Sequence, residues 1–111
     1  MIILNLIVFK KEQINDVVNS ILKSKWALKV IVGNAMDSYY MDDSSVKNHS
    51  WAYPIQFVTK SLLVSEMETT LKIDFPGMDF IIYAPPAVHI DAVYYDKIKN
   101  GVTGFAFLEK N

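Results

Sequence analysis

Two histidines are the side chains in this sequence best suited to bind a metal. His49 follows Asp42 and Asp43 along the chain, and His89 stands two positions before Asp91. Imidazole and carboxylate groups bind zinc and copper, but a closed site needs three or four ligands, and neither spacing matches a ligand motif. His49 and His89 are therefore candidate metal ligands, and a solvated loop histidine is the alternative at each position.

Aromatic residues stand on both sides of the polar segment 42–50. Tyr39 and Tyr40 precede it, and Trp51 follows it. Tyrosine and tryptophan suit ligand clefts and subunit interfaces because each combines an apolar ring with a polar group. Cross-strand packing inside one subunit explains the same pattern. The sequence leaves both interpretations open for these three residues.

The sequence carries no recognised catalytic signature. Without cysteine, it has no disulfide, thiolate metal site or thiol nucleophile. Its four glycines form no phosphate-binding loop, and there is no nucleophile elbow. Tyr94 and Tyr95 precede Asp96, but one packed and one exposed tyrosine on a helix is the simpler interpretation. We assign no catalytic residue, and the cofactor, if one exists, is unknown.

Size and composition predict one domain that associates with itself. The chain has 111 residues, enough for a single hydrophobic core over 1–111, and 51% of them are hydrophobic. That share is high for a small monomer, so part of the apolar surface is expected to meet another subunit. A net charge of −1 without a basic stripe argues against nucleic acid. No apolar run is long enough to span a membrane, and we expect a cytoplasmic protein.

The spacing of apolar residues predicts the strands and helices that position the candidate site residues. Apolar runs predict strands over 2–9, 28–40, 51–60 and 80–84, with a bulge near Gly33 and with Pro54 near an edge or a bulge. Helical spacing predicts helices over 11–26, 62–73 and 90–99, the second started by Ser61 or Ser65 and ended by Pro76. A last edge strand is predicted over 102–109. The order is the split β-α-β-β-α-β pattern of an α+β ferredoxin-like fold with a short C-terminal helix and edge strand.

With this element order, the chain resembles the CutA-type divalent-cation tolerance proteins, which are similar in fold to the PII signalling proteins. The resemblance covers roughly 2–100 and rests on three segments: Ser38-Tyr39-Tyr40, Phe57-Val58-Thr59-Lys60-Ser61 and Phe80-Ile81-Ile82-Tyr83-Ala84-Pro85. It implies a tight homotrimer in which the hairpin of the second and third strands pairs with neighbouring subunits. Such a trimer would account for the surplus of apolar residues.

The chain departs from the family where the metal chemistry is expected. The family usually carries His-Pro-Tyr-Glu before the fourth strand, whereas this chain has Phe75-Pro76-Gly77-Met78. Asp42-Asp43-Ser44 replaces a Trp-Glu-Gly-type turn, and the cysteine used by some members is absent. The resemblance therefore carries over the architecture and no metal ligand.

Three functions remain open from the sequence. The first is a non-enzymatic trimeric binding or signalling module with intersubunit clefts lined by Tyr39, Tyr40, Trp51 and Lys60. The second is a copper- or zinc-binding tolerance protein, as the family name implies. The third is a small cofactor-free enzyme of the dimeric α+β barrel type. The partner expected in each case is a second copy of the chain, together with a small molecule or a metal in the first two.

Overall fold

The computed structural model describes residues 1–104 of the chain. The strands are β1 (Ile2–Val8), β2 (Ile31–Val32), β3 (Met36–Met41), β4 (Lys47–Thr59) and β5 (Phe80–Tyr83). The helices are α1 (Ile14–Lys23), α2 (Val64–Asp74) and α3 (Ala92–Gly101), and short 3₁₀ turns at Lys11–Gln13 and Ser61–Leu63 lead into the first two. This order confirms the predicted α+β ferredoxin-like pattern.

The strands form one antiparallel sheet in the order β2-β4-β1-β5, and β3 also pairs with β4. β1 is central because it pairs with β4 from Ile2↔Thr59 to Val8↔Tyr53 and with β5 from Asn5↔Tyr83 to Val8↔Phe80. Residues 47–52 of β4 extend beyond β1 and pair only with β3. These two strands thus form a hairpin that projects from the body of the domain.

The hydrophobic core lies between the sheet and the helices. Alternate residues of β1 are buried, as the strand period of two requires when one face of a sheet is covered. They join buried side chains of β4, α1, α2 and the 3₁₀ turn before α2 in one cluster, together with Trp26 and Ile98. The members from these elements are Leu4, Leu6, Val8, Ile55, Phe57, Val17, Ile21, Leu63, Met67 and Leu71. The opposite face of the sheet stays partly exposed, with Ile31, Ile81 and Tyr83 among its accessible residues.

The predicted long second strand over 28–40 is wrong in its continuity, since residues 33–35 separate β2 from β3. Pro54 explains the break. It lies inside the sheet, opposite Ile7, and its carbonyl accepts a 2.9 Å hydrogen bond from the amide of Gly33. A strand residue directs its N–H and C=O to the same side, so the missing donor of Pro54 faces the break. A Cβ on Gly33 would lie 2.7 Å from Cγ of Pro54, so glycine permits this close approach.

Other boundaries also differ from prediction. The loop expected over 42–50 is shorter, because β4 begins at Lys47 rather than at 51. Neither Ser61 nor Ser65 caps α2, which begins without a side-chain cap bond. α3 begins at Ala92, where the side chain of Asp91 accepts a 3.0 Å bond from the amide of Tyr94. The strand predicted over 102–109 lies mostly outside the described residues.

Candidate functional site

The tip of the hairpin is organised around one carboxylate. Oδ1 of Asp42 accepts hydrogen bonds from the amides of Ser44 at 2.9 Å and Val46 at 3.0 Å, and Oδ2 accepts one from Nδ2 of Asn48 at 2.9 Å. Ser45 adopts a φ of 60°, which closes the turn. The bonds from Val46, Asn48 and Ser44 stabilise the charged carboxylate and lower the pKa of Asp42 below its ordinary value of 3.8.

One face of the hairpin carries a continuous row of polar and aromatic side chains, which we call the hairpin row: Asp37, Tyr39, Lys47, His49 and Trp51. The register pairs Tyr39 with His49 and Asp37 with Trp51, so these side chains share a face. Nε2 of His49 lies 2.7 Å from Oδ1 of Asp37. The His49 ring is 5.2 Å from the Tyr39 ring and 4.9 Å from Trp51, which it meets edge to face.

Lys47 completes the hairpin row at its outer end. Its Nζ stands 4.7 Å from the centroid of the Tyr39 ring, within the range of a cation–π interaction. The row therefore presents an acid, an imidazole, two aromatic rings and an ammonium group along one accessible face. Trp51 is 49% exposed and Tyr39 60% exposed, so both rings remain available for a ligand or a neighbouring chain.

Two cavities lie where the hairpin joins the body. A cavity of about 340 Å³ is lined by Lys11, Trp51, Tyr53 and the backbone segment 33–35. A second cavity of about 410 Å³ includes Lys10, Ser38, Ser50 and Asp79 in its lining. Cavities of this size are in the range that binds small molecules. The adjacent lysines 10 and 11 thus contribute to different cavities.

The structure brings together some of the predicted site residues and separates others. Tyr39, His49 and Trp51 are in contact, whereas Tyr40 pairs with Asn48 and therefore lies on the opposite face of the hairpin. Lys60 follows the far end of β4, where its Nζ donates a 2.8 Å hydrogen bond to the carbonyl of Val102. Lys60 can therefore share a cleft with Trp51 only across a subunit boundary.

The two histidines occupy different parts of the fold. His49 lies in β4 rather than in a loop, and His89 is exposed between β5 and α3. Within residues 1–104, no group of three or more His, Cys, Asp or Glu side chains is arranged to hold a metal ion. The His49–Asp37 pair supplies two donors, which does not fit the three or four ligands of a closed zinc or copper site.

Sequence reasoning missed Asp37, Lys47, Lys10 and Asp79 as site residues. Asp37 and Lys47 gain their positions from the register of β3 against β4, which depends on where the turn begins and ends. The sequence contains one indication of where the turn begins, namely Asp42, because aspartate at the start of a short polar segment often hydrogen-bonds to amides further along the chain. Lys10 and Asp79 belong to distant segments that only the sheet brings to one cavity.

The fold and the projecting hairpin define a ferredoxin-like domain in which two paired strands extend beyond the body. Many solved structures share this fold over most of their length, among them the following three. CutA1 from Oryza sativa has a TM-score of 0.83 and 18% identity, covering 94% of this chain and 94% of its own. The divalent cation tolerance protein (Cut A1) from Thermus thermophilus has a TM-score of 0.80 and 14% identity, covering 92% of this chain and 98% of its own.

The third is the periplasmic divalent cation tolerance protein CutA from Archaeoglobus fulgidus, with a TM-score of 0.79 and 16% identity, covering 92% of this chain and 98% of its own. No model of a protein family matches the chain, and no curated protein matches its sequence. At these identities the likeness establishes the fold: the chain has the CutA1 fold, which confirms the resemblance predicted from the sequence. No helix within residues 1–104 is long and apolar enough to cross a bilayer.

Proposed function

We propose that the protein is a non-enzymatic homotrimeric binding or signalling module of the PII/CutA kind, with ligand clefts between its subunits. The observation that carries the proposal is the projecting hairpin. Its aromatic and apolar side chains include Tyr40 at 53% and Met41 at 68% exposure, and no described strand pairs with the outer edge of β3. An edge strand of this kind is normally paired or covered in a soluble protein.

The sheet offers two different free edges for such pairing. Among the described strands, β2 and β3 leave one edge unpaired beside β4, and β5 leaves another at the opposite end of the sheet. A contact between two different surfaces is heterologous, and it closes into a ring when the rotation between subunits allows. A ring of three is the assembly that the CutA resemblance implies. Its clefts would combine Tyr39 and Trp51 of one subunit with Lys60 of the next, and Tyr40 would line a cleft on the opposite face of the hairpin.

Light scattering on a size-exclusion column tests the assembly. We expect a mass of three times 12.7 kDa at micromolar concentration. Tyr40→Lys should shift the mass toward the monomer, because it puts a charge on the exposed hairpin. Ile73→Lys is the matched control, since Ile73 is 70% exposed on α2, away from the hairpin. A wild-type monomer contradicts the proposal, and a dimer supports the α+β barrel enzyme instead.

Divalent-metal binding is the second candidate, because two of the structural neighbours above are named for divalent cation tolerance. In this chain only the His49–Asp37 pair places an imidazole next to a carboxylate within residues 1–104. We expect calorimetry to find no copper or zinc site tighter than about 1 μM, and a chelator to leave the melting temperature unchanged. A chelator-induced loss of stability that His49→Ala or His89→Ala abolishes would establish a metal site.

The compartment is part of the same proposal. We place the assembly in the cytoplasm, although the Archaeoglobus fulgidus neighbour is named a periplasmic protein. Cell fractionation with an antibody against the chain would distinguish the two compartments.

A further inference from the structure

The cavity of about 410 Å³ at the base of the hairpin carries charges of both signs. Lys10 follows β1, and Asp79 directly precedes β5, so the sheet brings a lysine and an aspartate to the lining of one cavity. Within residues 1–104, neither side chain forms an ion pair, with the other or with any third group. Both charges are exposed, and each can receive an oppositely charged group from a ligand.

The rest of the lining supplies hydroxyl groups and apolar surface. Ser38 and Ser50 stand directly opposite each other in the β3–β4 register, which puts their hydroxyls side by side on one face. Phe9 and Ile81 provide apolar surface in the same cavity. The lining therefore combines a cation, an anion, two neutral hydrogen-bonding groups and an apolar region.

We infer that this cavity binds a zwitterion with an apolar side chain, that is, a free α-amino acid. The ligand's carboxylate would meet Lys10 and its ammonium group would meet Asp79, while its side chain would lie against Phe9 and Ile81. A simple organic anion would be repelled by Asp79, and a simple amine by Lys10, so the two charges together select the zwitterion. The inference rests on the proposed binding function and names the ligand class for a cavity within one chain, whose lining includes Tyr39 and Tyr40.

Three probes of matched shape test the charge requirement by isothermal titration calorimetry. L-Phenylalanine carries both charges, 3-phenylpropionate only the carboxylate, and phenethylamine only the ammonium group. We expect L-phenylalanine to bind with a Kd of about 0.1 to 1 mM, because exposed ionic contacts contribute modestly. Each single-charge analogue should bind at least about tenfold more weakly. It loses one ionic contact, and its remaining charge lies near a side chain of the same sign.

Two variants locate the binding in this cavity. Lys10→Gln should weaken L-phenylalanine about tenfold and remove the penalty for phenethylamine, and Asp79→Asn should do the same for 3-phenylpropionate. Lys11→Gln is the matched control, because Lys11 lines the other cavity, and it should leave L-phenylalanine affinity unchanged. Both site residues are exposed, so neither variant is expected to impair folding.

The inference is overturned if all three probes bind alike, if none binds at 10 mM (about the weakest affinity worth assigning), or if Lys11→Gln weakens binding as much as Lys10→Gln. The result of the titration does not depend on whether the protein forms a trimer. Every described lining residue comes from one chain, so the titration applies to a monomer as well. A trimer without amino-acid binding would keep the proposed function and reject only the ligand class.

Discussion

Three donors converge on the carboxylate of Asp42 at the tip of the hairpin: two backbone amides and the side chain of Asn48. The turn therefore depends on an acceptor at this position, and Asp42 can accept all three bonds because it has two oxygens. Its neighbour Asp43 makes none of these bonds. Of the two adjacent aspartates, Asp42 shapes the hairpin, which in turn sets the register of the hairpin row.

Asp42→Asn should make stability depend less on pH. The pKa of Asp42 is lowered in the folded chain below the ordinary 3.8, so ionisation favours the folded state. This contribution is fully present above the unfolded pKa and is lost as pH falls through the lower folded value. Melting temperatures measured from neutral pH down to about pH 2 should show the variant less stable than wild type at neutral pH and equal to it at the acid end.

Asp43→Asn is the matched control, because it removes the same charge one position further along the turn. We expect it to change the melting temperature little at any pH. A deficit in Asp42→Asn that persists unchanged at the acid end would show that shape rather than charge explains the effect.

His49 illustrates which residue positions could be predicted from the sequence. The segment 42–50 has few apolar residues, so its composition predicts a loop. A loop would leave His49 in solvent. In the structure Lys47, His49 and Trp51 occupy alternate positions of β4 and contact the partner strand. Strand patterns are recognised by a buried face, and a hairpin that leaves the body of its subunit has none.

At the scale of elements, the periodicity of apolar residues predicts most of the helices and strands that surround the core. The helical spacing that predicts a helix over 11–26 includes Val17 and Ile21, and both are fully buried in α1. The division of the second strand was not predictable in the same way, because Gly33 and Pro54 are distant in sequence and their contact exists only after β4 has paired. The spacing of apolar residues indicates which side chains are buried, whereas an interruption of a strand depends on its pairing with a distant segment.

The end of α1 shows how one connection is held in place. The amide of Trp26 bonds to the carbonyl of Ile21 at 3.2 Å, and that of Lys25 bonds to Leu22 at 3.1 Å, which is the Schellman arrangement. Lys25 has a φ of 57°, a left-handed conformation that is costly for any residue with a Cβ. Trp26 is thereby directed into the core, and the buried hydroxyl of Thr59 bonds to its carbonyl at 2.7 Å.

Lys25→Gly should therefore stabilise the protein, by about 0.5 to 1 kcal/mol, because glycine adopts a positive φ without strain. Urea unfolding followed by circular dichroism measures the change. Lys23→Gly is the control, since Lys23 is the last residue of α1 and keeps the helical conformation, so the same substitution there should destabilise, by up to about 1 kcal/mol. Destabilisation by both variants would contradict the role given to residue 25.

Within residues 1–104, many apolar side chains stay exposed outside the hydrophobic core. Ile31, Met41 and Trp51 are each about half exposed or more; Ile31 lies in the edge strand β2, and the other two lie in the hairpin. The composition alone predicted this excess, but not where it would lie. The sheet order explains the location, because β4 is long enough to pair with β1 at one end and only with β3 at the other.

The two tryptophans should separate subunit folding from assembly. Trp26 is 3% exposed and packs in the core, so Trp26→Ala should lower the free energy of unfolding by about 3 to 5 kcal/mol. Trp51 is half exposed on the hairpin, so Trp51→Ala should leave the subunit folded and raise the trimer dissociation constant by at least about tenfold. Dilution series followed by light scattering measure the second effect, and circular dichroism measures the first.

The milder Trp26→Phe provides the matched comparison for assembly, because it keeps an aromatic ring in the core and preserves enough stability for the dilution series. Its dissociation constant should stay near that of the wild type. If Trp26→Phe and Trp51→Ala weakened the trimer equally, the loss would reflect general destabilisation, and the hairpin could not be the assembly surface. A selective effect of Trp51→Ala would instead tie the excess apolar surface of this chain to contact between its copies.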